Sequence, residues 1–171
     1  MTNPRRHSRP AFSLLEVAVV LLVIGILAIS AAPSFSAAGN IRAASVVGAV
    51  ERQIVDARSR AMASGRPHGV RVDPTLMRLE TVWIPAAGEE PRLIEGLTAA
   101  LDLRELDQTA RFASVSPGTG DGSLVFWFGF DGRPEGRGPT GTYVGPWASD
   151  GEIRMASGAS VIIARSGAVH R

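Results

Sequence analysis

A single glutamate, Glu16, stands inside the run FSLLEVAVVLLVIGILAISAA from Phe12 to Ala32, whose other polar members are Ser13 and Ser30. At the centre of a transmembrane helix an ionisable group costs about 2.5–3.5 kcal/mol, and less near the interface. Glu16 therefore either reaches headgroup water or meets a cation. A cut between Ala11 and Phe12 would supply that cation, because the new α-amino group lies four residues from Glu16. Amine and carboxylate could then pair across neighbouring subunits, so that neither charge is left uncompensated in an apolar bundle. This is docking chemistry, not catalysis.

Little else in the chain is equipped to react. Cysteine is absent and all 18 basic residues are arginine, which excludes disulfide scaffolds, thiolate metal sites, Schiff-base lysines and a P-loop lysine. The three histidines, His7, His68 and His170, are far apart in sequence, show no metal-ligand spacing and read as surface or edge residues. No nucleophile elbow, zinc-protease motif or catalytic carboxylate pair is present. Ser64-Gly65 and Ser157-Gly158 read as turns. Gly118–Gly122 leads into a strand, not a helix, which argues against a phosphate cradle. Asp121, Asp131, Glu135 and Asp150 lie in glycine-rich stretches where calcium is conceivable, but solvated turn carboxylates are the favoured reading. An enzyme is not expected, nor a cofactor or metal.

The elements that would position Glu16 follow from patterning. With 171 residues, 45% hydrophobic and 20% charged, the chain should fold. The pI near 10.3 suggests a nucleic-acid binder, but Arg5, Arg6 and Arg9 sit in an acid-free N-terminus. Without residues 1–11, 15 arginines face 16 carboxylates. The run from Phe12 to Ala32 would be about 31 Å long as a helix, enough for a bilayer core. Arginines ahead of it place the N-terminus in the cytoplasm. The domain expectation is a leader over 1–11, a transmembrane and assembly helix over 12–33, its amphipathic continuation over 34–66, and a β-rich domain over 67–171.

In the continuation, Ala43, Val47, Val50, Ile54, Ala57 and Ala61 form one apolar stripe, with Asp56 and Arg60 placed for an i,i+4 pair. Pro33 and Gly39-Asn40 predict a bend or local melting, and Gly65-Arg66-Pro67 a helix end. Val70–Val72 and Leu76–Ile84 read as strands around Asp73-Pro74-Thr75. Residues 86–92 read as loop. Residues 93–115, with Leu97, Leu101, Leu103 and Leu106, allow a short helix or irregular strands. Ser116–Ser123 reads as flexible and Ser123–Phe130 as the clearest strand. Asp131–Pro134 turns the chain, and the stretch to Gly141 reads as surface loop. Strands near Tyr143, at Glu152–Met155, Ser160–Arg165 and Ala168–His170 complete one antiparallel sheet, with Ser166-Gly167 as a two-residue hairpin link. The fold class is α+β.

Pro10-Ala11-Phe12-Ser13-Leu14-Leu15-Glu16 followed by the apolar run resembles the class III signal of type IV pilins and type II secretion pseudopilins. The resemblance implies cleavage before Phe12 by a prepilin peptidase, N-methylation of Phe12, and Glu16 as the assembly glutamate. Ala11 stands where that family usually has glycine. It also implies a pilin-like architecture, a long N-terminal helix, transmembrane in its first half, packed on an antiparallel sheet. Towards the C-terminus, Leu124–Pro134 and Val161–Arg171 resemble the H-type minor pseudopilins and the related T-type minor pilins.

The resemblance further implies a non-enzymatic minor subunit of a type II secretion pseudopilus that helps export folded proteins across the outer membrane. Its partners would be other pseudopilins, the peptidase and methyltransferase, inner-membrane lipid and the secretion platform. Its location would be the inner membrane, single-pass, with a periplasmic C-terminal domain. The alternative is a type IV minor pilin in pilus assembly or DNA uptake, with Arg165 and Arg171 as candidate DNA contacts among Arg133, Arg137 and Arg154; the nearly balanced body charge ranks it second. A third is a periplasmic enzyme or binding protein released by cleavage near Ser36-Ala37-Ala38.

Overall fold

The computed structural model describes residues 13–96, 100–118 and 124–171, with the backbone alone over 29–38. The chain divides into two units, residues 1–40 and 41–171. Helix α1, Leu14–Ser64, belongs to both. Its backbone stays helical through Pro33 and Gly39-Asn40, so the melting anticipated there is absent.

Within the first unit, α1 begins at Leu14, and every described side chain from Leu14 to Ala28 is exposed. The expected transmembrane first half is overturned, and with it the single-pass inner-membrane location, because no helix among the described residues is long and apolar enough to cross a membrane. A crossing helix needs about 20 consecutive apolar residues. The second half of α1 is punctuated by Arg42, Glu51, Arg52, Asp56, Arg58 and Arg60.

In the second unit, the stripe on α1 is the core's spine. Val47, Val50, Ile54, Ala57 and Ala61 are buried and Ala43 is half-buried, at the three- and four-residue steps that align one helical face. Asp56 and Arg60 form the pair read from their spacing, at 2.7 Å. The helix ends where glycine permits it: Gly65 has φ +65°, a left-handed cap.

Strands β1 (His68–Asp73) and β2 (Arg78–Trp83) form an antiparallel hairpin. Its turn is held by Asp73, whose carboxylate accepts from the Thr75 and Leu76 amides, both at 2.9 Å. The ambiguous region resolves into both alternatives. β3 (Arg92–Leu93), β4 (Ala100–Asp102) and β5 (Phe112–Ser116) are short strands, and α2 (Leu103–Leu106) is a single turn capped by Asp102. Leu97 and most of Ser116–Ser123 lie outside the described residues. β6 (Val125–Phe128) buries Phe126, Trp127 and Phe128.

Part of the expected surface loop is instead a strand. β7 (Pro134–Arg137) pairs with β6 and with β8 (Tyr143–Pro146). Proline is tolerated as the first residue of a strand, and Pro134 and Gly136 are buried. β9 (Gly151–Met155), β10 (Ser160–Ile163) and β11 (Val169–His170) follow. The last hairpin has a three-residue link, not two: Ala164 donates to the Ala168 carbonyl at 2.8 Å and Gly167 to the Ala164 carbonyl at 2.7 Å. Gly167, with φ +85°, fits the left-handed position of that turn.

There are two sheets where one was expected. The seven-stranded sheet runs β3-β2-β1-β6-β7-β8 with β4 also on β2, and the four-stranded sheet runs β11-β10-β9-β5. All their pairings are antiparallel. Alternation in β1, β2 and β6 sends Val70, Val72, Leu79, Phe126 and Phe128 into the core with the α1 stripe, joined by Ile153 and Ile163 from the second sheet. Val82, Ile84 and Trp127 form a smaller cluster of their own. Full burial of such side chains is worth about 1.5–3 kcal/mol each, so α1 is fixed chiefly by packing.

Candidate assembly site

At the start of α1, Ser13 is the cap. Its Oγ accepts from the Glu16 amide at 3.2 Å, and its carbonyl accepts from the Glu16 and Val17 amides at 3.0 and 3.2 Å. Ser13-Leu14-Leu15-Glu16 is the serine-x-x-glutamate spacing of a capping box. The spacing is visible in the sequence, where the question of a buried charge overshadows it. Glu16 is exposed and lies in the first turn, where the positive end of the helix dipole favours a carboxylate. Ala11 and Phe12 lie outside the described residues.

Apart from Glu16, the described stretch Leu14–Ala28 of the helix is apolar on all sides. Leu14 is 90% exposed, Leu22 64% and Ile24 55%. A helix that is hydrophobic all round normally sits inside a larger core. Here it presents an uncovered apolar rod with one carboxylate near its tip.

The C-terminal arginines are not a free cationic surface. Arg171 pairs with Glu51 on α1. Arg165 donates its backbone amide to Asp150 at 2.9 Å, and its Nε stands 3.9 Å from the same carboxylate. Arg133 pairs with Asp131 at 3.5 Å, Arg154 with Glu152 at 2.9 Å, and Arg137 with Glu135 at 2.5 Å. Burial pushes the Glu135 carboxyl above its ordinary value, against the opposing pull of Arg137.

Asp121 lies outside the described residues, and no cluster of three metal-ligating side chains occurs among the described ones. His170 is an exposed strand residue, in line with its surface reading. His68 is not: it is 6% exposed, and burial lowers its pKa, outweighing the hydrogen bond to the Arg66 carbonyl that raises it. Sequence reasoning missed this because β1 carries the histidine on its core-facing side. Gly65 and Gly158 are left-handed turn residues, consistent with turns at Ser64-Gly65 and Ser157-Gly158.

No family model matches the chain, and no curated protein is significantly similar. Among solved structures, the chain is similar to the minor pseudopilin EpsH from the type 2 secretion system of Vibrio cholerae, with 13% identity and a TM-score of 0.48, over 72% of this chain and 90% of that one. The likeness is partial and of low identity.

Proposed function

We propose that this chain is a non-enzymatic, pilin-like assembly subunit, and more narrowly a minor pseudopilin of a type II secretion pseudopilus. One observation carries the reading: an N-terminal helix, apolar on every described side over Leu14–Ala28, with Glu16 near its tip. Covering that rod with apolar helices of neighbouring subunits removes its surface from water, at about 25 cal/mol per Å². Cleavage before Phe12 would leave an α-amino group for a neighbour's Glu16 to meet. A charge pair sheltered in such a bundle is costly to break, so it selects one register among the many that a uniformly apolar surface would permit.

The experiment is replacement of Glu16. Glu16→Ala leaves the apolar rod and the folded second unit intact, yet the variant is expected to be depleted from assembled pseudopili. Co-purification at the wild-type level would reject the register role. N-terminal sequencing of the mature protein tests the processing step, with N-methylated Phe12 as the expected first residue and a start near Gly39 as the contrary result.

A further inference from the structure

Two features stand at opposite ends of the stretch of α1 that the second unit contains. At its start is a cavity of about 250 Å³, walled by α1, the α2–β5 link and the β9–β10 turn. Val46, Ala110 and Met155 give it a buried apolar floor, and Asp107, Arg111 and Ser157 a polar rim. At the far end Phe130 is 72% exposed, more than any other large hydrophobic side chain described in this unit. It lies in the β6–β7 turn, where Gly132 sits so close to Met62 that a Cβ would fall 2.7 Å from the Met62 Sδ. Val46 and Met62 are 16 residues apart, about 24 Å along a helix. We propose that Phe130 seats in this cavity on a second copy of the chain and so joins copies head to tail.

Phe130 is presented on a pinned turn. The Gly129 amide donates to the Arg133 carbonyl and the Gly132 amide to the Gly129 carbonyl, both at 2.9 Å. Asp131 accepts from the Arg133 amide at 3.0 Å, and Arg58 Nε on α1 donates to the Gly132 carbonyl at 2.9 Å. Gly132, at φ +74°, supplies the left-handed residue that only glycine adopts without cost. An aromatic ring on so fixed a backbone loses little freedom on burial. The cavity matches it in size and kind. A space of about 150 Å³ is enough for benzene, and an apolar floor inside a polar rim is the anatomy of an anchor pocket.

The charges are complementary as well. Asp131 and Arg133 flank Phe130 as an exposed pair at 3.5 Å, and the rim carries one charge of each sign in Asp107 and Arg111. Two hydrogen bonds from Thr109, at 2.7 and 2.8 Å, hold the Asp107 carboxyl below its ordinary value. Asp107 therefore meets Arg133 ionised, and Arg111 meets Asp131. Arg42 also acts on Asp107, which leaves the rim net positive and disfavours a basic partner. Because knob and seat are different surfaces of one chain, the contact is heterologous and repeats from copy to copy instead of closing on a two-fold axis. It rests on the assembly role proposed for α1: a contact through one side chain is weak alone, and forms at the high local concentration that associated rods provide.

The chain has no cysteine, so the contact can be trapped in the full chain carrying Arg133→Cys and Ser157→Cys, using a short bismaleimide. The two sites are too far apart along α1 for a link within one copy. A ladder of covalent trimers and longer species is expected, whereas each single-cysteine chain stops at dimers. Adding Phe130→Ser should reduce the ladder about tenfold, as for loss of one buried anchor. Ala156→Trp, which fills the cavity from its lining, should do the same, and Tyr143→Ser should change nothing. Phe130 and Ala156 are exposed, so these variants should unfold at the wild-type urea midpoint. Analytical ultracentrifugation of the same samples separates this contact from the rod. Oligomers that give no ladder, or a ladder that survives Phe130→Ser, overturn the seat while association by the rod stands. A monomeric wild-type chain overturns both.

Discussion

His68 shows how one buried side chain couples this fold to pH. Burial holds its pKa below the ordinary histidine value of 6.5, so the fold favours the neutral ring and protonation favours the unfolded chain. The stabilisation is therefore complete above about pH 6.5 and is lost as pH falls through the lowered folded value. Glu135 acts with the opposite sign: its folded pKa is raised by burial, so its contribution is present at low pH and lost as pH rises through that value. Urea midpoints measured between about pH 8 and about pH 5.5 should fall for wild type. His68→Gln should flatten that slope, and an undiminished slope in the variant would assign it to other groups. The sequence showed that a histidine was present, but not that it faced the core. Facing depends on strand register, and register is set by the partners of Val70 and Val72 rather than by His68. Glu16 is the complementary case, since its importance was legible from an apolar context while its local role with Ser13 required the cap geometry.

Among the elements, legibility followed the strength of the periodic signal. The α1 stripe, its end at Gly65 and the β1–β2 hairpin were readable because burial on one face forces a repeat of 3.6 or 2 residues. β7 was not: Pro134-Glu135-Gly136-Arg137 has none of the β-branched or aromatic residues that mark strands. It becomes a strand only because β6 and β8 supply its partners. The division into two sheets was hidden for a related reason, since each hairpin is local but the sheet it joins is a tertiary choice. The stripe itself makes a graded prediction. Ile54 is fully buried, and its neighbour Val55 is exposed. Ile54→Ala should cost about 2–5 kcal/mol in urea unfolding, and Val55→Ala less than about 0.5 kcal/mol. Equal losses would mean that α1 does not pack by the face described.

On the scale of the whole molecule, the two units differ in what they need from their surroundings. Residues 41–171 contain both apolar clusters, so this unit has its own interior and should hold together without the preceding segment. Residues 14–28 have no such interior: leucine, valine and isoleucine side chains remain exposed all along the helix. Soluble monomers rarely carry so long an uncovered apolar surface, which makes association the stable outcome for the full chain. Analytical ultracentrifugation should therefore find the full chain as oligomers and a chain beginning at Ile41 as a monomer, with the same near-ultraviolet circular dichroism from the core tryptophans. Placing arginine on the rod, as in the double variant Leu22→Arg/Ile24→Arg, should shift the full chain toward monomer, because each buried cation would have to find a counter-charge. Glu16→Ala should have a different consequence, leaving association in place while broadening the distribution of species, since it removes the register and not the apolar surface. A monodisperse full-length monomer would sever the link between the exposed helix and assembly, whatever the fold of the second unit.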